Sequence, residues 1–228
     1  SSSSAASDVY KRQNDAHAVQ AGAGSVYHPV EISEIVRQIL REPKTQWALV
    51  GVPCLCAAIR RSPRLRRSVT FVLGLACGMY QNTMYTEMLL ARSGFHRRKA
   101  VHIQYRCKPS QGMADDYAFC ATDLNGKMGE SVHYHGLPHF LGKNAFFRLN
   151  CCNFCRDVFA ETADACFMDA WLPRYAEDHR GTSAVLVRHP ALDTLFREGV
   201  RQGELLLEPL DAEDVRLSQK GAVRRKQE

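Results

Sequence analysis

No stretch of this chain approaches the roughly 20 consecutive apolar residues needed to cross a bilayer. The largely apolar run from Val69 to Ala76 is the length of a strand. The first thirty residues lack a compact apolar block behind a basic start, so no export signal is read there. Aromatic residues make up only 9% of the chain and do not alternate with its basic clusters, which removes the stacking platform of a nucleic-acid groove. H-E-x-x-H, a Walker loop, G-x-S-x-G and G-x-G-x-x-G are all absent. Zinc-protease, nucleotide-hydrolase, hydrolase-elbow and standard dinucleotide-fold readings therefore lack their motifs. The expectation is a cytoplasmic protein with no membrane span and no nucleic-acid partner.

What the chain does have is arginine in clumps and an unusual number of thiols. Arg60, Arg61, Arg64, Arg66 and Arg67 form one group, Arg97, Arg98 and Lys99 a second, and Arg224, Arg225 and Lys226 a third, within a net charge of +6. Such groups hold phosphates or simply form solvated surface. Nine cysteines in a chain without an export signal stay reduced, and nine is odd. Metal or cluster ligation and plain burial are the two explanations. Residues 1–13, SSSSAASDVYKRQ, resemble a translated transposon end from sequencing-library preparation. They are expected to be a disordered assembly scar in place of a lost N-terminal part, followed by a domain over 14–228 that is incomplete at its start and open to truncation at its end.

The 228 residues, 45% apolar, suffice for a real core. Ile32, Ile35, Val36, Ile39 and Leu40 share a helical face, stopped by Pro43. Strands are predicted at 47–50 and 69–76 and helices at 54–61 and 80–93, the latter closed by Gly94. This strand–helix alternation indicates a parallel sheet. Further strands are predicted at 101–106, 116–121 and 129–134, the last two joined by an Asn125-Gly126 hairpin turn. A polar and aromatic loop over 136–150 leads into a cysteine group. Strands at 184–188 and 204–208, a helix at 191–202 and a short helix from Asp211 to Leu217 complete the reading. The fold class expected is α/β: a mixed, largely parallel sheet with flanking helices, an inserted antiparallel hairpin and a cysteine-bearing loop.

Cys152-Asn-Phe-Cys155 is a C-x-x-C, a spacing shared by dithiol, zinc and iron–sulfur sites. Cys54 and Cys77 each fall just past the carboxyl end of a predicted parallel strand, where open α/β sheets bind ligands. Together the four supply the thiolates a [4Fe–4S] cluster needs, while Cys54 and Cys77 are equally readable as small buried hydrophobes. Cys56 and Cys166 are the reserves, and Cys120 reads as core. His133, His135 and His139 make a zinc site conceivable, and with Cys152 and Cys155 a zinc-stabilised binding module. A non-catalytic scaffold subunit is the third reading.

G-V-P-C at 51–54, L-A-C-G at 75–78, Tyr105-Arg106, C-x-x-C-x-D from Cys152 to Asp157, A-D-A-C-F-M-D-A-W at 163–171 and R-G-T-S-A-V-L-V-R at 180–188 occur in this order. The series resembles the β-subunit family of coenzyme F420 hydrogenases and dehydrogenases over about residues 24–226, and the tail V-R-L-S-Q-K-G is similar too. The resemblance implies an iron–sulfur flavoprotein oxidoreductase. A [4Fe–4S] cluster on Cys54, Cys77, Cys152 and Cys155 would exchange electrons with FAD, and coenzyme F420 would be the substrate. It further implies a redox partner subunit or ferredoxin. Ser25, Tyr27, Asp169, Trp171, Gly181, Thr182 and Ser183 lie where that family would hold its flavin. The backbone after Gly181 would cradle a phosphate, and Arg106 and Arg188 suit either bidentate pairing with phosphate or an acidic deazaflavin tail, or ordinary strand-end salt bridging. One departure is G-V-P-C-L where relatives read G-T-P-C-Q, which removes a hydroxyl and an amide beside Cys54.

Overall fold

The computed structural model describes residues 12–96 and 100–227. Most of the 1–13 segment and the whole of Arg97, Arg98 and Lys99 lie outside the described residues. In chain order the elements are α1 (Ala16–Ala21), α2 (Ser33–Arg41), β1 (Trp47–Gly51), α3 (Pro53–Arg61), α4 (Pro63–Arg66) and β2 (Val69–Leu75). Next come α5 (Thr83–Arg92), β3 (Ala100–Cys107), β4 (Ala118–Asp123), β5 (Val132–His133) and α6 (Leu137–Lys143). The last are β6 (Ala165–Asp169), β7 (Ser183–Val187), α7 (Pro190–Arg201), α8 (Ala212–Ser218) and α9 (Lys220–Gln227), with 3-10 turns at Asn150–Phe154 and Pro173–Tyr175. The chain forms two compact units. The first takes residues through Ile35, Met79–Cys152 and Ala176–Arg180; the second takes Val36–Gly78, Asn153–Tyr175 and Gly181 onward.

The first unit is built on the antiparallel sheet β3-β4-β5. Asn82 caps α5 by accepting the Met84 N–H at 3.0 Å. The helix buries Tyr85, Thr86, Leu89 and Leu90 along one face, and three of these join Phe95, Tyr105, Phe119, Ala121, Val132 and Leu141 in one apolar core. Gly94 ends α5 with φ +86°. Its N–H bonds to Ala91 O at 3.1 Å and the Phe95 N–H to Leu90 O at 2.8 Å, while Phe95 and Leu90 meet in the core. That pair of bonds needs a left-handed residue, and a side chain there is strained even with open space around it. Gly94→Ala is therefore expected to lower the unfolding free energy by about 1 kcal/mol, read as a shift in urea midpoint. The predicted hairpin is present: Gly126 has φ +76°, and the Asp123 carboxylate accepts the Asn125 and Lys127 N–H groups at 2.9 Å.

The second unit carries the four-stranded sheet in the order β1-β2-β6-β7. β1, β2 and β6 run parallel and β7 pairs antiparallel with β6, so the sheet is mixed and mostly parallel, as the sequence indicates. α3 and α4 make the crossover that parallel β1 and β2 require. Pro53 opens α3 at a position whose N–H would have no partner within the helix. The Asp164 carboxylate accepts the Val72 N–H at 2.7 Å and pairs with Arg60, which tethers the start of β6 to β2 and gives one arginine of the first basic group a structural task. Gly74 has room for no side chain: a Cβ there would run into that of Ala160 and come 3.1 Å from that of Ala163.

Four expectations need correction. Residues 204–208 form no strand; Leu205 packs on Gly199 of α7, Leu206 is fully exposed, and among the described residues no strand pairs with the run. The 136–150 loop contains α6, started by Pro138 and anchored by Leu141 in the core. The 129–134 strand shrinks to β5, two residues long. The chain end forms a helix, α9.

Candidate functional site

The second unit holds three of the four predicted thiol ligands, Cys54 and Cys77 just past the carboxyl ends of parallel strands and Cys155 in a loop. β1 and β2 pair in a register that sets Gly51 opposite Gly74, so Cys54 and Cys77 each lie three residues beyond a matched pair. Cys54 is exposed in the first turn of α3, where the open N–H groups of the helix put partial positive charge beside the sulfur. Cys77 is half-buried and its N–H bonds to Val158 O at 3.0 Å. That bond draws the loop after Cys155 against the end of β2. The half-buried Cys155 Sγ lies 3.7 Å from Asp157 O.

The loop is braced from three sides. The Arg188 guanidinium donates to the carbonyls of Phe159, Ala160 and Ala163 at 3.0, 3.2 and 3.3 Å. Ala160, fully buried, sits at φ +48°. Val158 packs with Ala222 and Val223 of α9. Arg156, Asp157, Glu161 and Gln227 line an open cleft of about 390 Å³ next to it.

Cys152 belongs to the first unit, as its last residue before the chain crosses to the second, and its Sγ accepts the Tyr80 N–H at 3.3 Å. Cys151 beside it is exposed. The reserve thiols, Cys56 and Cys166, are both buried. Cys56 donates to Gly51 O at 3.4 Å, and burial, reinforced by the Asp157 charge, pushes its thiol up to about 11. Burial pushes Cys166 up to about 12. Cys120, read as core from sequence, is only half-buried and lies 3.5 Å from Ser131 Oγ.

Among the described residues no three His, Cys, Asp or Glu side chains gather as tightly as one metal ion requires. His135 lies 3.4 Å from Asp115, and its ring is 6.4 Å from that of His139. A cubane differs from a single ion in placing its own iron and sulfide between its ligands, so its thiolates stand apart around a rim. The donor chemistry of the second unit's three thiols, soft sulfur ligands in a chain without disulfides among them, suits such a group.

The predicted flavin residues fall into two sets. In the first unit, where Ser25 also lies, the Tyr27 hydroxyl accepts Arg106 Nε–H at 2.8 Å, and the Arg106 guanidinium sits 5.1 Å over the Tyr117 ring. In the second unit Asp169 and Ser183 face each other across β6 and β7, and Thr182 O accepts the Ala170 N–H at 2.9 Å. The Trp171 N–H turns back to Asp169 O at 3.1 Å, Gly181 has φ +84°, and Gln219 Nε2 donates to Asp169 O at 2.7 Å.

One group in the first unit was not anticipated from sequence. The buried Tyr105 hydroxyl lies 2.8 Å from His28 Nδ1 and 2.5 Å from Thr86 Oγ1. Only a tyrosine and a histidine distant along the chain signal it, and nothing in their spacing shows that they meet. Burial raises the Tyr105 phenol from 10 to about 12, with the Thr86 bond partly opposing. The folded state favours the neutral phenol, so this stabilisation is complete below pH 10 and lost as pH rises through 12. A rise of that size corresponds to about 3 kcal/mol. Urea midpoints are expected to fall over that window, and Tyr105→Phe should flatten the decline.

The family described as coenzyme F420 hydrogenase/dehydrogenase, C terminus of the beta subunit, matches residues 44–213, a span that holds all four thiols but neither Ser25 nor Tyr27. A chain from a study of xenon derivatization of the F420-reducing [NiFe] hydrogenase complex of Methanosarcina barkeri superposes with a TM-score of 0.61 at 14% identity. The match covers 92% of this chain and 69% of that one, and at such identity the likeness is one of fold. No curated protein matches. Among the described residues no helix is long and apolar enough to cross a membrane. With the family matched over well more than half its length, the chain belongs to the family of C-terminal regions of coenzyme F420 hydrogenase/dehydrogenase β-subunits.

Proposed function

We propose that this chain is a cytoplasmic iron–sulfur flavoprotein that holds a [4Fe–4S] cluster on Cys54, Cys77, Cys152 and Cys155, binds FAD, and passes electrons between these and coenzyme F420 or a similar deazaflavin. Family membership makes it a subunit of an oxidoreductase. The observation that carries the finer reading is the matched placement of Cys54 and Cys77 beyond Gly51 and Gly74, with the Cys155 loop drawn to Cys77 by Val158.

When bound, a flavin supplies conversion between hydride and single-electron chemistry, and a cubane supplies single-electron storage. The chain's own groups prepare for that. The positive end of α3 faces Cys54, favouring an anionic ligand. The Tyr80 N–H on Cys152 Sγ withdraws charge from sulfur, one of the levers on cluster potential. Arg106, oriented by the Tyr27 hydroxyl, would meet an anionic part of the flavin or deazaflavin, and the turn from Gly181 to Ser183 would offer backbone N–H groups to phosphate. Arg188 is engaged by three carbonyls, which favours a bracing task over the phosphate contact expected from sequence. Electrons would pass to or from a partner subunit or ferredoxin.

Purification without oxygen, followed by iron, sulfide and flavin analysis, tests the reading. About four irons, four sulfides and one FAD per chain are expected, with reduction of added F420 by the loaded protein. Colourless protein holding one zinc would establish the zinc-stabilised module instead, and protein with neither metal nor flavin would establish the scaffold.

A further inference from the structure

The third basic group, Arg224-Arg225-Lys226, reads from sequence as solvated surface, yet α9 carries it to the thiol-bearing edge of the second unit. Lys226 Nζ lies 3.4 Å from Cys155 Sγ and donates to Asp157 O at 2.6 Å. Gln227 Nε2 donates to Arg156 O at 3.2 Å, and Ala222 and Val223 pack on the fully buried Val158. The helix is thus fastened along the Cys155–Val158 segment by packing and by side-chain bonds, which fixes where the ammonium sits. The Asp157 carboxylate is occupied by the Glu161 N–H, and among the described residues Lys226 pairs with no carboxylate, so its charge is left to act on the sulfur. A second cation flanks the neighbouring thiol: a Cβ on Gly78, next to Cys77, would lie 2.9 Å from Arg225 Nη2.

We infer that Lys226 is a positioning residue that holds a fixed positive charge against Cys155 and thereby raises the reduction potential of the cluster proposed on these thiols, a conclusion that rests on that reading. One electron enters and no bond is made or broken. The added negative charge is stabilised by an ammonium that cannot drift away, whereas a solvated surface lysine would be screened.

The test uses the whole protein, loaded without oxygen, as wild type, Lys226→Gln and Lys226→Arg. Gln keeps an N–H donor for the Asp157 carbonyl and loses the charge; Arg keeps both. The readout is the midpoint potential, followed by the electron paramagnetic resonance of the dithionite-reduced cluster against mediator dyes. Lys226→Gln should lower the reduced-to-oxidised ratio at fixed poise by about tenfold, a shift of about 59 mV to more negative potential for a one-electron couple. Lys226→Arg should stay near wild type. Iron retained by Lys226→Arg and lost from Lys226→Gln would overturn the inference in favour of a need for the charge in assembly. An unchanged midpoint in Lys226→Gln overturns the inference while leaving the cluster in place, as does loss of iron from both variants, which would make the role one of packing. Wild-type protein that takes up no cluster removes the functional reading itself, and the inference falls with it.

Discussion

Cys77→Ala is expected to strip the proposed cluster from anaerobically purified protein, taking iron from about four atoms per chain to below about one. The substitution removes a sulfur and little else. The bond from Cys77 to Val158 uses the backbone N–H, which alanine retains, and the residue is only half-buried, so the loop and β2 stay joined. Loss of iron would then report ligation. Cys166→Ala provides the contrast: that thiol is fully buried within β6, opposite Gly74 and Leu186, and is held protonated by burial. It should keep its iron at a modest cost in stability. Four irons retained by Cys77→Ala would remove Cys77 from the ligand set and reopen the choice among the remaining cysteines.

Arg188→Met should lower the unfolding free energy by about 2 to 3 kcal/mol and the melting temperature by roughly 5–10 °C. The three carbonyls that Arg188 serves belong to a loop in which Ala160 and Ala163 are buried and Ala160 is held in the left-handed region. Without the guanidinium all three acceptors lose a charged donor, and Ala160 O is left to the Ala163 N–H, 2.9 Å away. Lysine would not be equivalent. Arg188→Lys places one compact ammonium where a planar fork spans three acceptors, and should recover less than half of the loss. A variant that melts like wild type but binds FAD weakly would return Arg188 to the phosphate-binding role expected from sequence.

The strands and helices that could be read from the sequence are those whose signal is local. β1 and β2 are short apolar runs punctuated by Pro53 and Gly78, and α5 shows its cap, its face and its stop in consecutive residues. The Leu205–Leu207 run carries the same local signal but no partner strand, and a strand exists only as a member of a ladder. α9 is the converse: Ala222 and Val223 are its only buried side chains among the described residues, too small an apolar face to register as a period. Of the proposed site, the sequence offers the thiols as candidates through their spacing and their places after predicted strands. The guanidinium of Arg188 under its loop, the ammonium of Lys226 beside Cys155, and the meeting of His28 with Tyr105 were not legible, because each joins residues from 25 to 77 positions apart and a charged side chain's partner is not written next to it.

The interleaving of the two units has a consequence for synthesis. β2 finds its neighbour β6 about ninety residues later, and the helix that clamps the Cys155–Val158 segment comes later still. On a ribosome adding roughly 5–20 residues per second, β1 and β2 must therefore wait several seconds with an unsatisfied edge, while residues 79–152 emerge and begin to condense on their own. Non-local pairing of this kind is slow and exposes the nascent chain to association. Chaperone holding of the growing polypeptide until β6 has been made would limit that exposure.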